Sequence, residues 1–185
     1  MKQGPHRNQG VEGPGGRRRR RTAGVLGGVA MAAMAVTVAA CGSSTPAVTF
    51  NHATYASDIK SAYGTLFNLS NPNVTAKVAV VQDGTAIKGT LQQALSSSLA
   101  SSSKGTTVHT TTLWSTSQCT GKKLPSPCAK VVYDIDGPTG SAVLSNMTGY
   151  AVYQNGKWLV AKTSICDLLG LFYQAEGKSG NPPGC

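Results

Sequence analysis

Five side chains stand out as candidates for proton transfer: Asp134, Asp136, His109, Tyr63 and Tyr133. A carboxylate or imidazole acting as base beside a tyrosine donor is a common acid–base arrangement, provided both face one cavity. The local pattern argues against that here. In the alternating stretch Ala129 to Ile135, Tyr133 and Ile135 fall on one side and Asp134 on the other, so a buried tyrosine turns the acid towards solvent. His109 likewise lies opposite Val108. Asp134-x-Asp136-Gly137 has the start of a calcium loop but lacks its later ligands and closing glutamate. Neither a phosphate-cradling glycine loop nor a Gly-x-Ser-x-Gly elbow is present. No catalytic, metal or cofactor residue is therefore assigned.

The cysteines carry a stronger signal. Arg17 to Arg21 form a basic cluster, Thr22 to Ala40 an uncharged run of mostly small and apolar residues, and Val38-Ala39-Ala40-Cys41 is followed by Gly42-Ser43-Ser44. A basic segment, an apolar segment and small residues before a cysteine resemble a bacterial lipoprotein signal, with Cys41 as the acylated residue. A run of nineteen residues approaches bilayer-spanning length. Its Gly/Ala content and small-small-Cys ending favour cleavage. The expected organisation is a signal peptide at 1–40, a lipidated cysteine and tether at 41–49, and an α+β domain at 50–185. The protein would then be held to the extracytoplasmic face of the cell membrane by its acyl chains.

With Cys41 given to lipid, Cys119, Cys128, Cys166 and Cys185 remain, an even set in a compartment where disulfides persist. Three pairings are possible. Proximity favours Cys119 with Cys128, closing a short loop, and Cys166 with Cys185, tying down a polar Gly/Pro-rich tail. A zinc site is disfavoured because the spacings are not those of C-x-x-C pairs and only His52 and His109 could add to them.

Charge follows the same division. The chain carries a net +10, but residues 1–40 hold all the arginines, while residues 41–185 have ten Lys against six acids. Without arginine on the folded part, a nucleic-acid partner is not expected.

The elements that must position these residues read as helices first, strands afterwards. Ala56, Ile59, Tyr63, Leu66 and Phe67 share a helical face, and Asn71-Pro72-Asn73 ends that segment. Ala76 to Val81 is a short apolar run stopped by Asp83-Gly84. Ile87, Leu91, Leu95 and Leu99 predict a second helix reaching about Ala100. After a Ser-rich loop, Thr107 to Ser117 suits a half-exposed strand. Trp114 within it reads as core in preference to a cavity lip. Ala129 to Ile135 is a further strand. Asn155-Gly156 between Thr148–Gln154 and Lys157–Lys162 predicts a type I′ hairpin, with Trp158 in the core. Thr163 or Ser164 is expected to cap a C-terminal helix carrying Ile165, Leu168, Leu169 and Phe172.

Asn71-Pro72, Lys77, Gln82-Asp83-Gly84, Tyr133-Asp134-Ile135, the run from Gly149 to Trp158, and Lys162 to Leu169 together resemble the C-terminal domain of the mycobacterial low-molecular-weight antigen family, small exported proteins and lipoproteins of actinobacteria. The similarity spans roughly residues 53 to 185. The Cys119 to Cys128 segment lies outside the shared pattern. The resemblance implies an α+β fold in which N-terminal helices pack on a curved antiparallel sheet. That fold is similar to the cystatin-like or nuclear-transport-factor-two-like cone, and a short C-terminal helix completes it. The resemblance implies a surface protein without an assigned reaction and transfers no catalytic residue. A cone-like fold with many aliphatic residues and no catalytic set suits an envelope protein that binds an apolar small molecule or another protein. An isomerase or lyase using the cone's cavity is the alternative, by analogy of fold alone.

Overall fold

The computed structural model describes residues 49–97 and 101–185; Cys41, the basic cluster and the apolar run lie outside them, as does Leu99. Pro46–Cys185 forms one compact unit.

Helix α1 (His52–Phe67) starts one turn earlier than its apolar period suggested, because Asn51 caps it. The Asn51 carboxamide oxygen accepts from the Ala53 N–H at 2.9 Å. Tyr55, Ile59, Ala62, Tyr63, Leu66 and Phe67 then form one buried stripe. The apolar run after Asn73 is not extended: it is a short helix, α2 (Val74–Ala79), capped by Asn73. The predicted second helix is a 3-10 turn (Gly84–Ile87) continuing into α3 (Lys88–Leu95).

Four strands follow in an antiparallel meander: β1 (Gly105–Leu113), β2 (Cys128–Asp136), β3 (Ala142–Gln154) and β4 (Lys157–Val160). Strand β1 stops four residues short of expectation. Ser115 and Gln118 form a reciprocal capping box that starts helix α4 (Thr116–Gly121) inside the segment read as strand. Strand β3 begins six residues earlier than its apolar pattern, since irregular pairing with β2 lets Asn146 sit at φ 56° within the ladder. The hairpin is as predicted, with Asn155 and Gly156 at φ 53° and 79°. The free edge of β4 is covered by residues 80–82, where Val160 and Val81 form a parallel bridge.

Helix α5 (Lys162–Ala175) closes the fold. Its expected cap is not used. The cap position is Ala161, without a side-chain bond, and the Lys162 N–H donates instead to the Gln82 side chain at 3.2 Å. Ser164 is buried, and its hydroxyl accepts the Tyr150 N–H at 2.7 Å, tying α5 to β3. Helices first, a curled four-stranded antiparallel sheet next and a terminal helix last make a cone-like α+β domain.

Two apolar clusters flank the sheet. The larger joins α1, α5 and the inner face, where Val131, Tyr133 and Ile135 are buried and Tyr63, Phe67 and Tyr133 contact one another ring to ring. Gly149 is required there, because a Cβ at that position would stand 2.5 Å from the Tyr63 hydroxyl. The smaller cluster groups Cys119, Leu124, Cys128, Val152 and Leu159. Trp114 belongs to this second cluster rather than to the main core, half-buried against Tyr150. Trp158 is in the main core as expected.

Candidate functional site

The disulfides are Cys119–Cys128 and Cys166–Cys185. The first fastens α4 to the start of β2. The second draws the tail back to α5, and on α3 the Thr90 hydroxyl donates to the tail's Pro183 carbonyl at 2.7 Å.

The five proton-transfer candidates divide between the two faces of the sheet. A bulge between Val108 and Thr110 leaves His109 as an extra residue, and its Nε2 lies 2.9 Å from the Asp134 carboxylate. Asp134 also accepts the Asn146 N–H at 2.7 Å. That backbone bond and the His109 contact hold its carboxyl below the usual range. Asp136 accepts from the Thr107 hydroxyl at 2.9 Å. Tyr63 and Tyr133 lie inside, with the Tyr63 hydroxyl donating to the Tyr150 carbonyl at 3.1 Å. Burial raises both phenols, that of Tyr133 to about 12. The acids and the imidazole therefore sit on the face opposite the tyrosines. Among the described residues no His, Cys, Asp or Glu cluster has metal-binding geometry.

A cavity was expected only by analogy of fold, and its wall was not read from the sequence. The cavity has a volume of about 390 Å³ and is walled by the end of α1 with Leu69, by α3, by Ser102 and Ser103, by the facing ends of β2 and β3, and by α5. Apart from the two serines, every described wall residue is aliphatic or aromatic, and none is a carboxylate, imidazole or thiol. The serines are not free, since the Ser103 hydroxyl donates to the Phe67 carbonyl at 3.1 Å and Ser102 is also engaged. The rim is apolar as well: Val143, Leu144 and Leu171 are 51%, 39% and 56% exposed. The available signal was α5 itself, where Leu168 and Leu171 are apolar beyond what one buried stripe requires.

Lys77 was also missed as a core residue. It is 1% exposed, and its ammonium donates to the Thr65, Leu66 and Asn68 carbonyls at 3.0, 3.0 and 2.6 Å. These are carbonyls that the end of α1 leaves without helical partners. Burial lowers the Lys77 ammonium to about 8, so it carries its charge at neutral pH.

Fold and cavity together define a small cone-like α+β domain, stapled twice by disulfides and hollow on the side where α3 and α5 meet the sheet. Residues 51–176 match the low molecular weight antigen MTB12, C-terminal domain, and the chain belongs to that family. No curated protein and no solved structure matches it. No helix among the described residues is long and apolar enough to cross a membrane.

Proposed function

We propose that this protein is a non-enzymatic, lipid-anchored component of the cell envelope that holds an apolar small molecule in the cavity between α3, α5 and the sheet. The observation that carries the reading is the cavity's described wall, aliphatic and aromatic throughout except for two engaged serines. Such a wall recognises hydrocarbon by excluding water and offers a reacting substrate neither proton donor nor acceptor. The isomerase or lyase alternative needs an acid at the cavity, and its candidate acids Asp134 and Asp136 are not among the wall residues. Anchoring rests on the Cys41 motif and its preceding apolar run.

Native mass spectrometry of the purified protein after exposure to an envelope lipid extract tests the ligand. A retained apolar molecule is expected, and a protein that emerges empty from every apolar ligand offered would defeat the reading. For the anchor, Cys41→Ala should abolish incorporation of labelled palmitate and release the protein from membranes. Unchanged retention would point to an uncleaved membrane segment.

A further inference from the structure

We infer that the cavity takes the hydrocarbon chain of a membrane amphiphile, tail first, leaving the headgroup in water. The inference rests on reading the cavity as a binding site and says which end of which kind of molecule enters it.

Three observations point the same way. The described wall contains no charged side chain, and its two serines are already engaged. A buried headgroup would lose its hydration without gaining a partner, so the polar end stays outside. The wall is also long. From Ile165 to Ala175, α5 contributes to it over ten residues, about 15 Å of helix. A wall that runs along that much of one helix suits an extended chain better than a compact ring system. Finally, Val143, Leu144 and Leu171 at the rim are three of the four large hydrophobic residues exposed among the described ones. Exposed apolar side chains gathered at a cavity mouth extend its surface to where a chain leaves a bilayer.

Equilibrium dialysis of the full chain carrying Cys41→Ser, which removes any attached acyl group, provides the test. The probes are labelled palmitate, 1-palmitoyl-lysophosphatidylcholine, shorter members of both series and naphthalene, all below micelle-forming concentrations. For a given chain, the anionic and zwitterionic headgroups should bind within about threefold of each other, with little dependence on salt. Each methylene removed should weaken binding by roughly fourfold. Ala94→Phe, which fills the slot from α3, should abolish chain binding. Leu171→Glu, at a site 56% exposed, should weaken long chains and leave naphthalene unchanged. Circular dichroism confirms that each variant is folded. A headgroup effect larger than the chain-length effect would overturn the inference. So would binding of naphthalene without the chains, an outcome under which the apolar-cavity reading survives. If neither the chains nor naphthalene bind, both readings fall.

Discussion

Lys77 shows how one side chain can serve a helix to which it does not belong. Its ammonium gathers three carbonyls at the end of α1, supplying the positive charge that the last turn lacks. Lys77→Met keeps most of the volume and removes the donors, and should lower stability by about 2 kcal/mol in urea denaturation. An unchanged midpoint would mean that the carbonyls find other partners. Asp134 makes a different prediction. Its folded pKa lies below the ordinary 3.8, so its contribution is fully present above that pH and is lost as pH falls through the folded value. Asp134→Asn should therefore melt below the parent at neutral pH and converge with it in strong acid; a constant gap would contradict this. The outward placement of Asp134 was legible in the alternation of β2. Its partnership with His109 was not, because the bulge that redirects His109 follows from how β1 pairs with β2.

At the scale of elements, most of what could be read locally was read. The period of α1, the Asn155-Gly156 turn and the apolar stripe of α5 depend on neighbours within a few residues, and each appears in the fold. One error arose where a distant group supplied a bond, and another where a local capping box was overlooked. Ser164 looked like a helix cap, but the packing of α5 on β3 claims its hydroxyl, and Gln82 serves the helix end in its place. Threonine-rich sequence up to Ser117 suggested strand, yet the Ser115–Gln118 capping box turned it into α4. The Cys119–Cys128 bridge fixes that helix to β2 across nine residues and is buried in the smaller cluster. Replacing both cysteines with serine should cost about 2.5 kcal/mol, from the loop-closure entropy returned to the unfolded chain. The loss would appear as a lower urea midpoint, and hydrogen exchange should speed up first in α4. Equal protection in α4 would show that its caps suffice.

At the scale of the molecule, the tail works as a strap. Cys166 lies on α5, and the segment leading to Cys185 runs over the 3-10 turn and α3, so close that a side chain at Gly184 would strike the Ala86 carbonyl. The bridge thus holds to α5 a tail that is hydrogen-bonded to α3, and both helices contribute to the cavity wall. Exchanging Cys166 and Cys185 for serine should cost about 3 kcal/mol of stability and also weaken ligand retention, measured by denaturation and by dialysis. Lost stability with unaltered retention would separate the strap from the cavity. The sequence by itself determined most of the element types, the hairpin and the pairing favoured by cysteine proximity, because these rest on period, turn chemistry and short separations along the chain; the family followed from the resemblance of its motifs. The sequence also carries the small-small-cysteine pattern at Cys41 on which the proposed anchor rests. Only the tertiary structure decided that Lys77 is buried, that His109 meets Asp134, and that an apolar cavity remains between α3, α5 and the sheet. A cavity is the space left where several elements fail to meet, and its wall comes from positions more than a hundred residues apart. No local pattern encodes that space, since each wall residue taken alone looks like part of an ordinary core.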